Sequence, residues 1–179
     1  MKESRVVFRG RVFRVRQDVV EEPALPGSRR PQLRAVREIV EHHGSVVVLP
    51  VFSDGRVLLV RQYRHAVGDF LWELVAGGIE PGENPRAAAH RELEEETGYR
   101  AGRLRRLLNF YPTPGFVSEK MILYRATDLR RGRACPEADE SLETRAFTRS
   151  QLERMIRRGQ LRDAKTLVGV LLGRGPGRG

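Results

Sequence analysis

Gly77-Gly-Ile-Glu-Pro-Gly-Glu83-Asn-Pro-Arg-Ala-Ala-Ala-His-Arg91-Glu92-Leu-Glu-Glu95-Glu96-Thr-Gly98-Tyr99 is the stretch on which the reading of this chain turns. Asn84 can cap a helix, Pro85 suits its first position, and Gly98 can end it in a left-handed conformation, so the spacing predicts a helix over 85–97. Glu92, Glu95 and Glu96 stand at i, i+3 and i+4 and share one face of that helix. Ala88 and Ala89 lie one turn earlier and leave room above it. Each like-charge pair at this spacing costs a few tenths of a kcal/mol, and a cation would offset that cost. Hard divalent ions prefer carboxylate oxygens and take phosphate and water as their remaining ligands. Arg91 precedes Glu95 by one turn and can steady it from the side. A solvated acidic face has the same charges. What speaks for a ligand is the approach to the helix, where Gly77-Gly78 and Pro81-Gly82 let backbone come close to one.

Outward from the helix, the pattern is mostly extended. Residues 5–21 read as two short strands or a hairpin with one wet face, 22–33 as a Pro/Gly loop, and 34–42 as a further strand. Ser45 to Phe52 is a β-branched run, predicted as a buried strand. Asp54-Gly55 is a hairpin signal, with 56–64 as the returning partner of that strand. Phe70 to Ala76 reads as one strand, and strands follow at 103–110, 120–127 and 142–147. A helix is predicted at 149–158, with Thr148 and Gln151 spaced as a capping box, and another at 164–172. The order implies a mixed sheet with helices on its faces. We divide the chain into an N-terminal strand region, 1–42, a main domain, 43–173, and a flexible glycine-rich tail, 174–179.

The chain has 179 residues and a formal charge of +10 from 33 basic and 23 acidic residues. The arginines are scattered or in small knots such as Arg103, Arg105, Arg106, without a long stripe of interleaved aromatics, so nucleic acid is not the expected partner. No run approaches ~18 apolar residues, so no membrane span is expected, and the arginine-bearing start does not read as an export signal. The single cysteine, Cys135, suits a reducing cytoplasm.

The segment 77–99 resembles the Nudix box: glycine, five residues, glutamate, seven residues, Arg-Glu, an apolar residue, any residue, Glu-Glu, any residue, glycine, an apolar residue. Every specified position matches, with Tyr99 the loosest. A chance match is on the order of one in 10⁸ or rarer. Within that family the chain is most similar to the ADP-ribose pyrophosphatases. The resemblance is carried by Pro114 in Tyr111-Pro-Thr-Pro-Gly-Phe116, by Arg37-Glu38-Ile39-Val40, Arg61-Gln62-Tyr63-Arg64 and Trp72-Glu73-Leu74-Val75-Ala76-Gly77, and by Asp163-Ala-Lys-Thr.

The resemblance implies an α/β/α sandwich with a mixed β-sheet, preceded by N-terminal antiparallel strands that pair or swap across a homodimer. It implies Mg²⁺ or Mn²⁺ bound by Glu92, Glu96 and Glu95 with the carbonyl of Ala76. It makes Glu83 and Arg91 structural, Arg37 and Glu38 adenine contacts, Arg64 a pyrophosphate contact and Glu119 part of the substrate loop. Arg37 and Arg64 also read as exposed strand charges. The implied reaction is hydrolysis of ADP-ribose to AMP and ribose 5-phosphate. Another ADP-sugar, a dinucleotide or capped RNA are alternative substrates, and a non-catalytic nucleotide- or RNA-binding module is the reading from a different class. The base that takes the water's proton falls in the loop 136–143, where Glu137, Asp139, Glu140 and Glu143 all stand; we choose Glu140, then Glu137. His42, His43, His65 and His90 lack a metal-like spacing. Trp72 and Phe110 can stack on a base or pack in the core.

Overall fold

A strand of six buried residues, Ser45–Pro50 (β4), is the centre of the molecule's main unit. The computed structural model describes residues 1–28, 32–132 and 142–173. On one side β4 pairs antiparallel with Val75–Gly78 (β7), and on the other it runs parallel to Met121–Arg131 (β9). Strand β9 in turn pairs antiparallel with Tyr99–Phe110 (β8), giving a four-stranded mixed sheet. Both faces of β4 are buried because both are covered, which is why its sequence is a continuous β-branched run rather than an alternating one.

Helix Pro85–Thr97 (α1) covers the first face. Its ends are those the sequence predicts: the Asn84 side chain accepts from the Arg86 N–H at 2.8 Å, and Gly98 adopts φ 69°. Ala88, Ala89 and Leu93 pack against Val46, Val48, Val75, Leu104, Tyr124 and Ala126. Truncating fully buried Leu93 to alanine would cost about 2–5 kcal/mol. The second face carries Val47, Leu49 and Leu123. It packs with residues of Arg149–Arg157 (α2), of Ala164–Leu172 (α3) and of a three-stranded sheet. That sheet is ordered Glu143–Phe147 (β10), Val57–Arg64 (β5), Asp69–Glu73 (β6). The mixed-sheet sandwich follows from this layering, and the capping box of α2 is present as the spacing of Thr148 and Gln151 implies.

Two expectations are corrected. Strand β5 does not return along β4: beyond the Asp54-Gly55 turn only a single bridge, Val51 to Val57, joins them, and β5 leaves for β6 and β10. The turn therefore passes the chain between sheets. Residues 70–76 are not one strand but two, β6 and β7, in different sheets. The break falls at Leu74, whose N–H donates to the Thr166 Oγ1 at 2.7 Å instead of to a neighbouring strand. Strands β8 and β9 are also longer than predicted.

Residues Met1–Gly44 and Tyr111–Lys120 form a separate unit. In it Glu3–Arg9 (β1), Arg14–Glu22 (β2) and Leu33–Glu41 (β3) make a three-stranded antiparallel sheet, and Val40 bridges Val117. The segment 111–120 thus groups with the N-terminal strands. Trp72 and Phe110 pack with the second core, Trp72 edge-on to Phe147 at 4.9 Å. Among the described residues, no helix is long and apolar enough to cross a membrane.

Candidate active site

Arg91 organises the acidic helix. Its Nε and Nη2 donate to the two oxygens of Glu83 at 3.0 Å each, and Nη2 also donates to the Gly78 carbonyl at 3.0 Å. Nη1 donates to Glu92 at 2.7 Å and Glu95 at 3.0 Å. A guanidinium has five N–H groups, and all are used here. The Glu83 hydrogen bonds first, then, against the cost of burial, the charge of Glu92 and the hydrogen bonds to Glu92 and Glu95, hold Arg91 far above its usual pKa. The same contact holds the Glu83 carboxyl below the usual carboxylate range. The turn at Glu80–Glu83 is thereby tied to the middle of the helix. Glu80 N–H donates to Glu83 at 3.0 Å, which closes the turn.

Glu92 lies against the backbone of Gly77. A Cβ built there would overlap its carboxylate, so glycine at 77 lets the helix side chain come close and any larger residue would displace the Glu92 carboxylate. Glu96 is buried one turn further on, with Oε1 3.4 Å from the Ala76 N–H. Glu92, Glu95 and Glu96 thus project together beside the segment Ala76–Gly78. Three carboxylates on one face are the donor set of a hard divalent cation, and the glycine cradle leaves them room, so the residues fit such an ion. Among the described residues no three acidic, histidine or cysteine side chains are already drawn to a common metal-ligand point. The guanidinium of Arg91 stands between Glu92 and Glu95 and draws both.

Arg64 belongs to the same unit. Its Nε and Nη2 donate to the two oxygens of Glu73 at 2.8 and 2.7 Å. This hydrogen-bond pair raises the Arg64 pKa, burial opposes it, and the charges of Glu73, Glu96 and Asp163 add to the rise, which puts Arg64 in the electrostatic field of the acidic helix. Glu73 is 1% exposed and also meets the Lys165 ammonium, which donates to Asp163 at 3.0 Å. Burial alone would push the Glu73 carboxyl up; Arg64 and Lys165 outweigh it and hold it low. Asp163 caps α3 by accepting from the Thr166 N–H at 3.0 Å, and Thr166 Oγ1 accepts from Leu74. Glu73 and Lys165 stand in Trp72-Glu73 and Asp163-Ala-Lys-Thr, stretches that carry the family resemblance, but their pairing has no signature in the sequence. The available signal was a glutamate inside an apolar strand, a residue type almost never buried without a partner.

The remaining sequence candidates belong to other segments of the chain. Arg37 and Glu38 sit exposed on β3 of the N-terminal unit, where Arg37 donates to Glu22 at 2.6 Å and Gln17 reaches Glu38 at 3.4 Å. Glu119, in the same unit, is 3.6 Å from His42 Nδ1. Glu137, Asp139 and Glu140 lie outside the described residues, as do Cys135 and the tail 174–179. Glu143 begins β10, 3.6 Å from Arg61.

The model of the NUDIX domain matches residues 41–168. The chain belongs to the Nudix family. This Nudix chain is 35% identical over 166 residues to the methanol dehydrogenase activator of Bacillus methanolicus, covering 92% of this chain and 86% of that one. It is 34% identical, with the same coverage, to the ADP-ribose pyrophosphatase of Bacillus subtilis (strain 168). A solved structure of an ADP compounds hydrolase superposes with a TM-score of 0.80 at 25% identity, covering 97% of this chain and 90% of that one. The protein is therefore a Nudix pyrophosphohydrolase, most like the ADP-ribose pyrophosphatases, of a family that generally uses divalent cations.

Proposed function

We propose that the protein hydrolyses the diphosphate of ADP-ribose to AMP and ribose 5-phosphate. The observation that carries this reading is the shared helix face of Glu92, Glu95 and Glu96 beside Ala76 and Gly77, with Glu92 against Gly77 and Arg64 in the field of Glu96. Mg²⁺ or Mn²⁺ would be held by Glu92, Glu95, Glu96 and the Ala76 carbonyl, and when bound would neutralise the diphosphate and lower the pKa of water. Arg64, aimed by Glu73, binds a diphosphate oxygen. Arg37, Glu38 and Glu119 bind the nucleoside. Glu140 takes the proton as water oxygen attacks one phosphorus and the bond from that phosphorus to the bridging oxygen breaks; the leaving phosphate carries away the bond's electrons. The substrate is a small nucleotide and the site is cytoplasmic.

The protein acts as a homodimer through its N-terminal sheet. That sheet exposes Val7, Phe8, Val12, Phe13, Leu33 and Val36, and Asp18 is the sole buried residue of its three strands. An apolar surface left this exposed is stabilised by being covered. A second copy of the same surface is the occupant that two-fold symmetry supplies.

Purified protein with ADP-ribose and Mg²⁺, followed by nucleotide separation, tests the reaction: AMP and ribose 5-phosphate in equal amounts are expected, and their absence refutes it. Relatives named GDP-mannose pyrophosphatases favour one second reading, the same cleavage on another nucleoside diphosphate derivative. A panel of ADP-sugars, dinucleotides and capped RNA at matched concentration separates the two by kcat/KM.

A further inference from the structure

The second face of the four-stranded sheet is only partly covered. By register Val47 and Leu123, then Leu49 and Arg125, follow one another on it across β4 and β9. Strand β8 continues the same face with Arg105 opposite Arg125 and Arg103 opposite Thr127. Val47, Leu49 and Leu123 are packed with the helices α2 and α3. Past them, Arg103, Arg105, Arg125 and Thr127 line a concavity of about 280 Å³.

Three features of this place together point to an anion. Among the described residues Arg103, Arg105 and Arg125 hold no carboxylate, although Arg64, Arg91 and Arg100 in the same unit do. Arg105 and Arg125 are direct cross-strand neighbours of like charge, which weakens a sheet unless an anion lies between them. The Nε of Arg125 is buried without an acceptor, a donor that a native structure rarely leaves unpaired. Arg125 also forms the wall of an adjoining cavity of about 350 Å³ floored by Leu49, Val51, Leu152 and Val170. The size suits a small organic ligand.

We infer that Arg103, Arg105 and Arg125 form a second anion site, separate from the acidic helix, that takes a phosphate monoester and seats its apolar or aromatic body in the neighbouring cavity. A phosphate dianion has the charge and the oxygens to accept from several guanidinium forks at once. Along β4 the site begins level with Leu49, about 7–10 Å from Val47 and Val46, the partners of Ala76 and Gly77, and extends away from them. It therefore does not share ligands with the reaction.

The test uses the full-length protein in EDTA at low salt, with inorganic phosphate followed by amide NMR and AMP followed by calorimetry. Saturable shifts at Arg103, Arg105 and Thr127 are expected, with AMP tighter than phosphate and adenosine alone not binding there. Arg103→Gln with Arg105→Gln, both exposed and free of ion pairs, should weaken the site at least about tenfold, consistent with loss of charge-assisted hydrogen bonds. Glu96→Gln should leave it unchanged, which separates this result from failure of the proposed reaction. Arg125→Lys, which keeps the charge but not the fork, should be weaker than wild type. Absence of shifts at these amides with millimolar phosphate, equal binding by the double variant, or binding of oligonucleotides but not AMP would each overturn the inference.

Discussion

Replacing Glu73 by glutamine leaves two cations, Arg64 and Lys165, facing a neutral amide. In the wild type the charges balance, with Arg64 and Lys165 against Glu73 and Asp163. Breaking a buried pair by removing one partner costs about 3–5 kcal/mol, because the other charge stays buried. Here the Arg64 side chain is 39% exposed and water can take part of its charge, while that of Lys165 is only 10% exposed. The cost belongs at the lower end, about 3 kcal/mol, out of the roughly 5–15 kcal/mol that holds a domain together. For a chain of this size that is a fall in Tm of about 6–12 °C. Calorimetric or fluorescence melting at neutral pH measures it. Because the folded carboxyl is held low, its stabilisation is fully present above the usual carboxylate range and is lost as pH falls through the depressed folded value; the wild-type and variant melting curves should approach each other in acid. Adding Lys165→Met removes the buried cation and should restore about half of the loss, on the same pair logic. Arg64 also loses its anchor, so kcat/KM should drop about tenfold or more through loss of a charge-assisted hydrogen-bond pair. A Tm within about 2 °C of wild type, with kcat/KM unchanged, would refute the claim that this buried network holds Arg64 in place.

Four further outcomes follow from the geometry. Glu96→Gln should lower kcat by at least ~10²-fold and weaken Mn²⁺ binding, read separately by calorimetry, with little change in Tm. Gly77→Ala should push the Glu92 carboxylate aside and reduce activity at least about tenfold while far-ultraviolet dichroism stays native, since the displaced atoms are the end of a flexible side chain. Arg91→Lys should loosen the turn at Glu83 and cost about 1–3 kcal/mol, because an ammonium cannot reproduce the fork to Glu83, Glu92 and Glu95; denaturant midpoints would show it. Phe8→Ser with Phe13→Ser should shift the mass in analytical ultracentrifugation from dimer to monomer, and an unchanged mass would argue against the N-terminal sheet as the interface.

The stretch from Gly77 to Tyr99 was legible because its information is local. A cap, a proline, a left-handed glycine and three acids one turn apart act over distances that the helix itself sets, so the residues alone determine where the helix starts, ends and carries its charge. The continuous β-branching that marks β4, and the capping box of α2, are local in the same sense. What only the tertiary structure decided was which strands meet. Asp54-Gly55 has the chemistry of a hairpin, yet it sends β5 to another sheet, because pairing is chosen by neighbours far away in sequence. The break at Leu74 depends on Thr166, and the burial of Glu73 is tolerated because Lys165 arrives from α3, 92 positions later. No spacing rule in one segment encodes a partner that distant; hydrogen bonding and charge neutralisation in a dry interior select it only after the layers have packed.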